Sequence, residues 1–86
     1  MITVRYAPTF VRMYNHLEVK LKNEVKEKID IFRNPKNHKV LKVHKLKGRL
    51  ANTYSFSVSH KIRIVFDYEN KNTVNLLFVG SHDEVY

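Results

Sequence analysis

Apolar residues recur every three or four positions across the first third of the chain: Phe10, Met13, Leu17, Leu21, Val25, Ile29 and Phe32. That period puts them on one side of an amphipathic helix, or of two helices in a hairpin with its turn near residues 15–18. The opposite side is charged, with Lys20, Lys22, Glu24, Lys26, Glu27 and Lys28, and Glu24 stands one turn before Lys28. Pro8 suits a first helical turn, because its ring presets φ. Asn34-Pro35 closes the region, since the residue before a proline is pushed out of the helical basin. Ahead of the helices, Ile2, Val4 and Tyr6 alternate with Thr3 and Arg5, which predicts a short opening strand.

Beyond residue 53 the period becomes two. Tyr54, Phe56 and Val58 alternate with Ser55, Ser57 and Ser59, the pattern of a strand with one buried and one wet side. Ile62, Ile64, Phe66 and Tyr68 alternate with Lys61, Arg63, Val65 and Asp67 in a second strand. Ser59-His60 is a tight connection and Glu69-Asn70-Lys71-Asn72 a turn. The apolar run Val74 to Val79 reads as a central strand covered on both faces, ended by Gly80. The expected fold class is therefore α+β, a single domain over residues 1–86. It has two layers, with the N-terminal strand and helical hairpin packed on one face of a small antiparallel sheet. The other face is left to Ser55, Ser57, Arg63 and neighbouring basic side chains.

A hydrophobic fraction of 43% is enough to build a core and argues against disorder. There is no cysteine, so disulfides, thiolate nucleophiles and cysteine-ligated zinc are excluded. No two of the five histidines stand four apart, and neither a metal site nor a cofactor is expected. The N-terminus lacks the apolar core of a signal peptide, and no apolar run approaches the roughly 20 residues of a membrane span. A soluble cytoplasmic protein with no membrane partner is expected. Charge adds the functional clue. The net charge is +8, and no Asp or Glu occurs between Asp30 and Asp67. A surface of one sign attracts polyanions, so nucleic acid or a ribosome is the first partner to consider. A solubilising face, or a docking surface for an acidic protein, would carry the same charge.

Four segments stand out: His44-Lys45-Leu46-Lys47-Gly48, Tyr54-Ser55-Phe56-Ser57-Val58, Ile62-Arg63-Ile64-Val65-Phe66, and Val79-Gly80-Ser81-His82 with Val85-Tyr86. Taken together they resemble the RelE/ParE toxin superfamily over essentially the whole chain. The resemblance implies a toxin of a type II toxin–antitoxin pair, held inactive by a small, acidic cognate antitoxin that folds on binding. The RelE-like and YafQ-like branches cut mRNA on the translating ribosome, whereas the ParE-like branch inhibits DNA gyrase without enzymatic chemistry. His44 and His82 fall on histidine positions of the YafQ-like enzymes, Tyr86 on a functional aromatic, and Arg63 on a catalytic arginine of the RelE-like ones. Ser55 and Ser57 stand where the RelE strand has paired lysines, and Ser57 and Lys61 where the YafQ-like enzymes have a further histidine and aspartate.

The implied reaction is attack of an RNA 2′-OH on the adjacent phosphate, with no metal. Histidine suits both proton transfers, because its charge changes near neutral pH. His44 and His82 would share them, Arg63 would clamp the phosphate through its planar donor fork, and Tyr86 would stack on or orient a base. Lys42, Lys45, Lys47, Arg49 and Lys61 would hold flanking phosphates or ribosomal RNA. The alternatives are a ParE-like gyrase inhibitor, for which both histidines are dispensable, a catalytically degenerate family member, and a sequence-independent RNA binder.

Overall fold

The computed structural model, which describes residues 1–86, divides the apolar stripe between two helices, α1 (Pro8–Asn15) and α2 (Val19–Phe32). Pro8 opens α1 behind an extended Ala7. The break comes at His16, whose backbone N–H donates to the Met13 carbonyl, followed by the Leu17 N–H to the Tyr14 carbonyl. The His16 Nδ1–H donates to the Arg12 carbonyl at 2.7 Å. These bonds satisfy acceptors that a helix end leaves free. Phe10, Val25, Ile29 and Phe32 are buried, with Met13, Leu17 and Leu21 packed partly buried beside them.

Strands β1 (Thr3–Tyr6), β2 (His44–Lys45), β3 (Tyr54–Ser57), β4 (Ile62–Asn70) and β5 (Thr73–Ser81) form one sheet in the order β1-β5-β4-β3-β2. β1 runs parallel to β5, and the other pairs are antiparallel. The sheet is thus mixed, where periodicity implied an antiparallel one. A parallel neighbour needs a long connection, here the helices and the other three strands between β1 and β5, and alternation cannot reveal which strands it brings together. β2 is two residues long and offers no alternation to read.

Ile62, Ile64 and Phe66 of β4, Phe56 of β3 and Val74, Leu76 and Val79 of β5 meet the helices in one core. Leu76 and Val79 share a face although they stand three apart. Val65 pairs with Phe78 and Phe66 with Leu76, so Leu77 is the extra residue of a bulge. At the centre, Phe32 stacks on Phe56 at 4.5 Å and on His38 at 4.6 Å, with Phe66 edge-on at 4.8 Å. His38 Nε2–H also donates to the Phe32 carbonyl at 2.8 Å, closing the end of α2.

The basic segment is irregular but anchored. Leu41 is buried, and its carbonyl accepts from the Ser57 N–H at 3.1 Å. Lys42 then takes a left-handed φ of 60° and leads the chain into β2. No helix is long and apolar enough to cross a membrane.

Candidate functional site

Residues directly paired across strands point to the same side of a sheet, so the register lays out the face opposite α1 and α2. One row runs His44, Ser55, Val65, Phe78, and the next runs Ser57, Arg63, Gly80. This face is not open, as the alternation of β3 implied. A one-turn helix, α3 (His82–Val85), follows β5 directly and packs back on β4 and β5. It buries Val85 and covers Val65, and Ser55 beneath it is fully buried rather than wet.

α3 forms because its first turn is capped from within. Glu84 Oε1 accepts the Ser81 N–H at 2.8 Å, the acidic half of a capping box. That backbone bond, helped by the Ser81 side chain, holds the Glu84 carboxyl below the usual glutamate range. Gly80 leaves room for it: a Cβ there would lie 3.0 Å from Glu84 Oε1 and 3.2 Å from its Cβ.

The helix carries the two C-terminal candidates. His82 is its first residue and is exposed, and Tyr86 follows one turn later. Their rings meet edge to face, with centroids 4.4 Å apart at 88°. The Tyr86 hydroxyl donates to Ser55 Oγ at 2.5 Å. From below, Gly48 takes a φ of 70° and starts a 3-10 turn (Gly48–Leu50) that raises Arg49. Arg49 Nη2 donates to the Tyr86 backbone oxygen at 3.3 Å. Leu46, Lys47, Arg49, Leu50, His82 and Tyr86 thereby line one cleft of about 380 Å³.

The remaining candidates lie outside its lining. His44 lies one strand beyond Ser55 on the same face, and its exposed ring bonds the Lys42 carbonyl through Nδ1 at 2.9 Å. A carbonyl only accepts, so Nδ1 carries the proton and Nε2 of the neutral ring is left free to take one. Arg63, in the adjacent row, donates from Nη1 to the Ser59 carbonyl at 3.0 Å. It does not pair with Asp67, which accepts from Asn75 instead. Lys42 is exposed beside His44. Lys45 is paired with Tyr54, a residue of the core side, and so leaves the sheet on the helix face. Lys61 lies in a separate hollow with Glu18, Lys20 and Glu24 of the helical layer. The structure therefore gathers His82, Tyr86, Lys47 and Arg49 in the cleft, leaves His44 and Arg63 on the same sheet face but outside its lining, with Lys42 next to His44, and sets Lys45 and Lys61 apart. Sequence reasoning missed Ser55 and the floor made by Leu46 and Leu50; nothing in the alternation of β3 marks Ser55 as buried.

A larger groove of about 470 Å³ lies between α1 and α2 beside β1, lined by Tyr6, Phe10, Val11, Tyr14 and Ile29 among others. It is mostly apolar, whereas the His82 and Arg49 side chains line the smaller cleft.

A helical hairpin on one face of a five-stranded mixed sheet, with a single-turn helix on the other, is a fold that this chain shares with solved toxin structures. No family model matches the sequence, and no curated protein does. Solved structures do match. YafQ from E. coli strain BL21(DE3) aligns with a TM-score of 0.81 at 13% identity, over 100% of this chain and 99% of that one. The YoeB–YefM complex from Staphylococcus aureus gives 0.74 at 19% identity, over 95% of this chain and 98% of its counterpart. The toxin–antitoxin complex RelBE2 from Mycobacterium tuberculosis gives 0.72 at 22% identity, over 94% and 98%. At such identities the likeness is one of fold.

Proposed function

We propose that the chain is the toxin of a type II toxin–antitoxin pair and an endoribonuclease that cuts mRNA on the ribosome. The observation that carries this reading is the cleft itself: His82 and Tyr86 share it with Lys47 and Arg49, on the sheet face that also holds His44 and Arg63. The shared fold with YafQ and with the toxin–antitoxin complex RelBE2 supports it. The net charge of +8 suits both an RNA substrate and a small acidic antitoxin.

The reaction needs two proton carriers and a cation. The 2′-OH oxygen attacks the neighbouring phosphorus, its proton passing to one histidine. The bond to the 5′ oxygen breaks, and the other histidine supplies that oxygen with a proton. The products are a 2′,3′-cyclic phosphate and a 5′-OH. His44 keeps Nε2 available, which suits it to the base role, and His82 then serves as acid. Arg63 spends one donor on Ser59 and keeps the rest of its fork for the phosphate as charge builds on it. Tyr86 has its hydroxyl committed to Ser55, so its contribution is its ring, as a surface for a base.

The test is mRNA cleavage on programmed ribosomes, mapped by primer extension, for the wild type and His82→Ala. Loss of an acid or base should slow cutting by roughly 10²–10⁴-fold with the protein still folded. A folded, antitoxin-free wild type that leaves mRNA intact would defeat the reading and favour gyrase inhibition or a degenerate toxin.

A further inference from the structure

We propose that Ser55 is a positioning residue whose buried hydroxyl, acting through Tyr86, holds the His82 ring over the cleft. This rests on the proposed role of His82 but concerns how that ring is placed.

Ser55 is the one fully buried polar side chain of the molecule. A buried hydroxyl without a partner is costly, so the site has to supply one. It comes from 31 residues further along the chain, as the Tyr86 hydroxyl. α3 is a single turn, too short to be stable by itself, so tertiary contacts must hold it. On the sheet side those are burial of Val85 and the Ser55–Tyr86 bond. Val85 is apolar, and its burial sets no direction. The hydroxyl pair is directional and fixes how the Tyr86 ring stands. His82 meets that ring one turn back, edge to face. With 70% of its side chain exposed, His82 has little else to orient it beyond a 3.7 Å approach to the fully exposed Asp83. Ser55 is also the cross-strand neighbour of His44, so one buried hydroxyl lies between the two elements that carry the proposed proton carriers.

A positioning role predicts a pattern of rates and a spectroscopic signature that packing alone does not. Ser55→Ala and Tyr86→Phe each remove one half of the bond and keep the bulk of the side chain. Each should lower kcat for cleavage by on the order of 10- to 100-fold with KM unchanged, and the double variant should be no slower than either single one. The His82 Cε1–H resonance feels the ring current of Tyr86, and in both variants it should move toward the position of an exposed histidine. Equal kcat in wild type and Tyr86→Phe, or an unmoved His82 resonance in both variants, would overturn the proposal. The resonance is read without RNA. A wild type that does not cut would therefore sink the nuclease reading and leave this test intact.

Discussion

Ser55 and Arg63 have the same position in the alternation of their strands, yet they end in different environments. Arg63 projects from the face that the period assigns to it, half-buried, with one nitrogen on the Ser59 carbonyl. Ser55 projects from that face too, but the C-terminal turn closes over it. Alternation reports which side of a strand a residue occupies and nothing about what later packs there, so only Arg63 was legible. For Arg63→Lys we expect a fall in ribosomal cleavage of roughly 10- to 100-fold with the fold retained. The ammonium keeps the charge but cannot hold Ser59 and a phosphate with a planar fork. Cleavage at the wild-type rate would remove Arg63 from the site. His44 and His82 were singled out by residue type and by their neighbours in the sequence. That they share one face through Ser55 and Tyr86 was not legible there.

Among the elements, α3 depends most on local chemistry. Its cap is a carboxylate, and the Ser81 N–H holds the Glu84 pKa down. A depressed folded-state pKa contributes stability that is present above the ordinary glutamate range and lost as pH falls through the folded value. Thermal melts should therefore show the wild type losing stability on going from about pH 5 to pH 3 more steeply than Glu84→Gln, whose amide oxygen still accepts but does not titrate. Parallel curves would mean that the cap does not hold in solution. Gly80→Ala should weaken the same cap by about 1 kcal/mol in denaturant unfolding, because its methyl displaces the Glu84 side chain. The longer elements were legible because their periods run for several turns or residue pairs. β2 and α3 were not, being two and four residues long. Elements so short are defined by their partners rather than by a pattern of their own.

For the molecule as a whole, the core and the charge make separate predictions. Phe32 joins the helical layer to β3 and β4 and stacks on His38. Phe32→Ala should destabilise the domain by about 3–5 kcal/mol in urea unfolding. A loss near 1 kcal/mol would mean that the stack is not central. Charge is read through salt. Lys47→Gln, in the cleft, should lower the salt slope of single-stranded RNA binding by about 0.7, the change expected when one fewer phosphate is neutralised. Lys61→Gln, beside Glu18 and Glu24, should change it less. Equal effects in fluorescence anisotropy across a salt series would place the RNA path elsewhere. The sequence alone determined the two-layer α+β class, the helical hairpin, the paired strands β3 to β5 and the basic character of residues 31–66. All of these are set by residues close together in the chain, through period, turn chemistry and composition. The tertiary structure alone decided that β1 lies parallel to β5, that a bulge at Leu77 resets the core face, and that Tyr86 closes over Ser55. The first and last join segments far apart in the chain, and the bulge is a register choice within the β4–β5 hairpin, so each depends on a partner that no local pattern names.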